Sequence, residues 1–77
     1  MKKFTVGNYE LEFDASFVER FEDVTGSFLE DCIESFIKTG FGVWSVDEAF
    51  NNHSVQEITQ KITRMMENDI EAYSGLL

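Results

Sequence analysis

The chain has 77 residues, of which 43% are hydrophobic and 14% aromatic, and its formal net charge is −9. A chain of this length forms one domain with a modest core, because small domains bury only about 60% of the surface that the unfolded chain exposes. Residues 1–77 are therefore predicted to be a single domain, too apolar to be disordered. The acidic balance argues against direct nucleic-acid binding and against anchoring on anionic membranes, and it favours a protein partner with a basic surface.

The first predicted element is a β-hairpin. Apolar and polar residues alternate on both sides of Gly7 and Asn8. This alternation predicts strands over residues 3–6 and 9–13 joined by a two-residue turn, because glycine accepts a positive φ and asparagine tolerates one. A lone hairpin is marginally stable in water, so its apolar face must pack on other elements.

Four helices are predicted to follow. The spacing Ser-x-x-Glu, typical of a capping box, occurs four times, each time before an apolar-periodic stretch. The four pairs are Ser16/Glu19, Ser27/Glu30, Ser45/Glu48 and Ser54/Glu57. The predicted helices span residues 17–25, 28–39, 46–52 and 55–73, and Gly26, Gly40 and Gly75 follow the first, second and fourth of them. The predicted fold class is therefore α+β and mostly helical, with an N-terminal β-hairpin packed on three to four short amphipathic helices.

Cys32 and His53 are the residues best suited to chemistry, since each is the only one of its type. Cys32 shares the apolar face of the second helix, so we expect a buried and inert thiol. His53 lies at a helix junction without the neighbouring ligands of a zinc site, so we expect a turn residue. No EF-hand, phosphate-binding loop or dinucleotide motif is present. The sequence therefore predicts a non-catalytic protein without a metal or a cofactor.

A cytoplasmic location is also predicted. One cysteine excludes an intrachain disulfide, whereas secreted domains of this size usually carry several. No apolar run reaches the length of a signal peptide or of a membrane span. We therefore expect a reducing compartment, which would be the bacterial host cell if the protein is phage-encoded, and no contact with a membrane.

Most of the negative charge lies in the hairpin and the first two helices. Residues 10–34 hold nine acidic side chains and one base, Arg20, and so carry −8 of the total charge. Either this face only keeps the protein soluble, or it docks on a basic partner. The docking residues would be Glu19, Glu22, Asp23, Glu30, Asp31 and Glu34.

Residues 40–44 are a second candidate surface, predicted as a loop with the large apolar side chains Phe41, Val43 and Trp44. Tryptophan is enriched at binding hot spots, but a chain this short also needs aromatic residues for its own core. The alternatives of partner binding and core packing therefore stay open. The terminal residues 75–77 are a weaker candidate of the same kind.

The first half of the chain combines the extended segment Tyr-Glu-Leu-Glu-Phe, at residues 9–13, with a helix that ends in Thr25-Gly26 and with a further amphipathic helix. Residues 4–40 thereby resemble phage tail assembly chaperones. The resemblance implies a non-catalytic chaperone or adaptor that keeps aggregation-prone tail components soluble during virion assembly. Its partners would be tape-measure and tail-tube proteins. The resemblance transfers no individual site residue.

The alternative function is an acidic phage-type inhibitor, such as an anti-CRISPR, a nucleic-acid mimic or an immunity-like protein, that blocks a basic groove of its target. Carboxylates three or four positions apart on a helix lie about 5–6 Å from each other, and duplex DNA carries one charge per about 1.7 Å of its axis. Acidic helices can therefore approximate the charge of DNA. A homo-oligomer is also possible, because an exposed hairpin edge can pair with a second copy.

Overall fold

The computed structural model describes residues 1–75, and over that range the chain forms two strands followed by four helices. The elements are β1 (Lys2–Val6), β2 (Tyr9–Phe13), α1 (Ala15–Thr25), α2 (Leu29–Phe41), α3 (Val46–Asn52) and α4 (Val55–Ser74). The hairpin packs on the helices, so the predicted α+β and mostly helical class is confirmed. None of these helices is long and apolar enough to cross a membrane.

The hairpin forms with the predicted turn. β1 and β2 are antiparallel, and Val6 pairs with Tyr9 across the turn. Gly7 has φ +60°, and among the described residues only glycines have a positive φ. A positive φ at the first central residue alone is the pattern of a type II′ turn, which demands glycine at that position. The resulting register places one apolar face of both strands in the core.

Of the four predicted capping boxes, the one at Ser54 forms completely and the one at Ser45 forms in part. Ser54 Oγ accepts a hydrogen bond from the Glu57 amide at 3.1 Å, and Glu57 Oε1 accepts one from the Ser54 amide at 3.3 Å. At α3, Ser45 Oγ accepts from the Glu48 amide at 3.2 Å. The Glu48 carboxylate, however, accepts from the amide of Trp44 rather than from that of Ser45. Glu48, in the first turn of α3, therefore also fixes the backbone of Trp44, which precedes the N-cap residue Ser45.

The predicted boxes at Ser16 and Ser27 are wrong. Asp14 is the N-cap of α1, and its Oδ1 accepts from the Phe17 amide at 3.1 Å. Ser16 consequently lies inside the first turn of that helix. At α2 the N-cap position is occupied by Phe28, whose side chain makes no capping hydrogen bond. The Ser-x-x-Glu spacing misleads here because glutamate is so frequent in this chain that the spacing also arises without a cap.

Gly40 does not end α2 as predicted. The helix continues to Phe41 and ends at Gly42, which has φ +64°. Gly40 lies where α4 comes close, because a Cβ atom there would be 3.0 Å from Met65 Sδ and 3.2 Å from Lys61 Cγ. The glycine at position 40 therefore serves helix packing, and the left-handed cap is supplied two residues later.

One hydrophobic core joins the hairpin to the helices. α4 packs against α1, α2, α3 and β2 and is the central element of the fold. Its buried side chains are Ile58, Ile62, Met66 and Ile70. The ring of Tyr9 also stacks on that of Phe50 with centroids 4.0 Å apart, and this contact joins the turn end of the hairpin to α3.

Candidate interaction surfaces

Trp44 is the most exposed large apolar side chain in residues 1–75, with 93% of its surface accessible. Its backbone is nevertheless held in place. The Trp44 amide donates to Glu48 Oε2 at 3.2 Å, and the next residue, Ser45, is the N-cap of α3. A backbone restrained by a hydrogen bond next to a helix cap, with its indole ring exposed to solvent, suits a binding anchor, because less backbone conformational entropy is lost when a partner covers the ring.

Phe41 and Val43 do not belong to an exposed loop, which corrects the sequence-based expectation. Phe41 lies in the last turn of α2, half-buried, with its ring centroid 4.3 Å from that of His53. Val43 is also half-buried, and both side chains pack against the core. The predicted apolar loop therefore reduces to one exposed residue, Trp44. The other apolar candidates, Leu76 and Leu77, lie outside the described residues.

A shallow groove of about 230 Å³ borders Trp44. The hairpin turn at Gly7 and Asn8 forms one side of it, and α2 forms the other with Glu34 and Lys38. Lys38 Nζ lies 2.9 Å from Glu34 Oε1, so these two charges compensate each other. A partner that covers the Trp44 ring could therefore also contact this groove.

Four of the six predicted acidic docking residues are exposed and form no ion pair within the described part of the chain. These are Glu19, Asp23, Glu30 and Asp31. Glu34 differs from them because it pairs with Lys38. The exposed acids occupy both α1 and α2, so each of these helices keeps uncompensated negative charge on its surface.

Glu22 has a structural role that the sequence does not reveal. It is half-buried on α1, and its Oε2 accepts a hydrogen bond from the Leu29 amide at 2.9 Å. This amide is one of the unpaired donors at the start of α2, where a negative charge also interacts favourably with the helix dipole. Glu22 thus caps the following helix, seven residues away, and this separation lies outside the local capping patterns that a sequence shows.

Cys32 is half-buried rather than buried as predicted. Burial raises the pKa of its thiol, and the negative charges of Asp31 and Asp69 raise it further. A raised pKa keeps the thiol protonated and weakly nucleophilic at neutral pH. Within residues 1–75, no group of three or more His, Cys, Asp or Glu side chains is arranged to hold a metal ion.

His53 ends α3 and lies in the turn before α4, as predicted. Its Nδ1 is 3.3 Å from Glu57 Oε2, the glutamate that completes the capping box of α4. The backbone amide of Ser54 lowers the pKa of Glu57, and the His53 side chain lowers it further. One carboxylate therefore joins the turn at His53 to the start of the central helix.

We expect acid to weaken this junction. Because the pKa of Glu57 is lower in the folded chain than its usual value of 4.5, its contribution to stability is complete above that value and is lost as the pH falls through the folded-state pKa. Glu57→Gln, which keeps an acceptor for the cap, should flatten the decline in Tm between about pH 5 and pH 3. Glu67→Gln, an exposed glutamate of the same helix, is the matched control. An equal change in both variants would contradict this role of Glu57.

No protein-family model, no curated protein and no solved structure matches this chain. A function must therefore be inferred from the surfaces of the molecule itself. Two of them stand out: Trp44 with its adjoining groove, and the exposed carboxylates of α1 and α2.

Proposed function

We propose that this chain is a non-catalytic protein-binding protein that acts as an assembly chaperone or adaptor, the function implied by its resemblance to phage tail assembly chaperones. The observation that carries the proposal is the 93% exposure of Trp44. Covering a side chain of 150–250 Å² gains roughly 4–6 kcal/mol from apolar burial before the costs of association are subtracted. Leaving this ring in water therefore forgoes stabilisation that a partner can supply.

The groove beside Trp44 indicates how a partner segment would lie. A segment that covers the indole would continue between the hairpin turn and α2, where Glu34 and Lys38 offer one charge of each sign. Such a footprint suits an apolar segment with polar flanks. Tail components with apolar surfaces, among them tape-measure and tail-tube proteins, are partners of this chemistry, and the bacterial cytoplasm is the location that goes with them.

Trp44→Ser tests this function. Because hot-spot tryptophans contribute about 2 kcal/mol or more, we expect partner affinity to fall at least roughly thirtyfold while the helical circular dichroism signal is unchanged. Trp44 is the only tryptophan, so its fluorescence should be that of a solvent-exposed indole in the free protein and should shift to the blue when the partner isolated from a cell lysate is added. Tyr73→Ser, an aromatic side chain 46% exposed near the end of α4, is the matched control. Capture that is the same for Trp44→Ser and wild type, or an unshifted emission, would refute the proposal.

The acidic inhibitor is the second candidate, and it is favoured by the exposed carboxylates of Glu19, Asp23, Glu30 and Asp31, which form no ion pair within residues 1–75. An inhibitor that binds a basic groove through these groups should associate more slowly as salt rises, because exposed charges are screened. The variant Glu19→Gln/Asp23→Asn should then slow association, whereas the control Glu67→Gln/Glu71→Gln on α4 should not. Salt-independent capture that requires Trp44 would reject the inhibitor and retain the chaperone.

A further inference from the structure

Within the part of the chain that the structure describes, the outer edge of β1 is an unpaired strand edge. In a hairpin with a two-residue turn, the residues that flank the turn form a hydrogen-bonded pair, and such pairs then alternate along the ladder. In the observed register, Val6 with Tyr9 and Phe4 with Leu11 are pairs of this kind. The backbone N–H and C=O groups of Lys3 and Thr5 therefore point away from β2, and within residues 1–75 no further strand covers them.

A groove of about 480 Å³ follows this edge. Four consecutive residues of β1, Lys2 to Thr5, form one wall, and Glu22, Phe28 and Glu30 form the other. No residue of β2 lines the groove, which places it beside the free edge and not across the face of the sheet. Phe28 is 61% exposed there. The groove therefore combines unpaired backbone donors and acceptors with an apolar ring.

We propose that β1 pairs with β1 of a second copy of this chain, so that two hairpins join into one four-stranded antiparallel sheet. The two-fold axis passes beside Phe4, and Lys3 lies opposite the partner subunit's Thr5. This register uses the outward N–H and C=O groups of both residues in both copies. Addition of a strand to an open sheet edge is a recurring mode of association, in which the backbone supplies the affinity.

Charge complementarity favours a second copy as the occupant. β1 has the sequence Lys-Lys-Phe-Thr-Val, and antiparallel pairing with itself around Phe4 places each lysine opposite threonine or valine. Like charges directly across a ladder, which destabilise it, are thus avoided. Lys3 Nζ lies 3.8 Å from both Glu10 and Glu12, so its charge is compensated within the hairpin. Within residues 1–75 Lys2 supplies the uncompensated positive charge of the strand, while Glu22 and Glu30 make the facing wall acidic. Two-fold pairing therefore brings Lys2 of each copy beside the acidic wall of the other.

The test is the oligomeric state of the full chain, measured by sedimentation velocity from micromolar to millimolar concentration. About 0.15 M salt screens the net charges of the two copies, since the Debye length is then about 8 Å. We expect a reversible monomer–dimer equilibrium. A chain that stays monomeric over the whole range overturns the proposal, including the case in which the edge is covered only after another protein is added.

Thr5→Pro separates the edge from the rest of the hairpin. Proline removes the outward N–H of residue 5 without breaking a bond between β1 and β2. Two hydrogen bonds are lost per dimer, so the dissociation constant should rise roughly thirtyfold. Glu10→Pro is the matched control, because Glu10 lies directly across from Thr5 in β2 and its N–H points to the opposite edge. Equal dimerisation of Thr5→Pro and wild type, or an equal loss in both variants, overturns the proposal.

Hydrogen exchange of the wild-type chain gives a result that does not depend on a folded proline variant. The amides of Lys3 and Thr5 should become protected as the protein concentration rises, whereas those of Glu10 and Glu12 should not. A lack of concentration-dependent protection at Lys3 and Thr5 contradicts the proposed sheet.

Trp44→Ser should leave the dimer unchanged, because Trp44 lies outside this groove. Failure of the dimer and failure of the chaperone function can therefore be told apart.

Discussion

Phe21→Ala is expected to remove a large part of the stability of this domain, whereas Phe28→Ala should change it little. Phe21 is 1% exposed, and its ring meets that of Phe36 edge-on with centroids 6.0 Å apart. Truncating a buried phenylalanine costs about 3–5 kcal/mol, because apolar burial is lost and a cavity remains. A domain of this length has a total free energy of unfolding of only about 4–12 kcal/mol.

Phe28 is the matched control, since the same substitution is made seven residues later at a side chain that is 61% exposed. Exposed sites usually change the free energy of unfolding by less than about 0.5 kcal/mol. Urea unfolding followed by circular dichroism measures both variants, at micromolar concentration so that self-association does not contribute. Similar losses for Phe21→Ala and Phe28→Ala would contradict the described packing of α1 and α2.

Glu22→Ala should destabilise the fold, whereas Asp23→Ala should not, although the two acids are adjacent. Glu22 Oε2 accepts from the Leu29 amide at 2.9 Å in a partly buried position, while Asp23 is exposed and unpaired among the described residues. A hydrogen bond to a charged group contributes about 1.5–3 kcal/mol, and its loss also leaves the start of α2 without a cap.

The measurement is again the free energy of unfolding, with Glu22→Gln as an intermediate variant that keeps an oxygen acceptor but no charge. We expect the order of stability wild type, Glu22→Gln, Glu22→Ala. If Asp23→Ala is as unstable as Glu22→Ala, the loss does not come from the hydrogen bond to the Leu29 amide, and the capping role is refuted. If the order holds, Glu22 should be left out of charge variants that probe the acidic face, since its removal would destabilise the fold as well as change the charge.

The two candidate surfaces use different parts of the hairpin. The groove beside Trp44 includes Gly7 and Asn8 at the turn, and the groove along β1 begins at Lys2. A dimer formed through β1 would therefore leave both copies of Trp44 free to bind. Two anchors on one particle raise the apparent affinity for a partner with repeated segments, by an amount that depends on their separation.

The sequence by itself determined the elements of this protein. The hairpin follows from period-two alternation around a glycine turn, and α3 and α4 follow from Ser45, Ser54 and the apolar periodicity behind them. These signals act over at most four residues, because turn chemistry and capping are local. The predicted strands and helices accordingly end within two residues of those observed.

Only the tertiary structure decided which residues are available for binding. Phe41 and Trp44 are both aromatic and lie three residues apart, yet Phe41 packs against the core and Trp44 is exposed to solvent. Glu22 and Asp23 are neighbours, yet one caps a second helix and the other is exposed and forms no ion pair within residues 1–75. The sequence predicts that Gly40 ends α2, but in the structure the missing side chain of Gly40 lets α4 pack closely against α2. In each case the outcome depends on an element distant in sequence, which composition and periodicity do not encode.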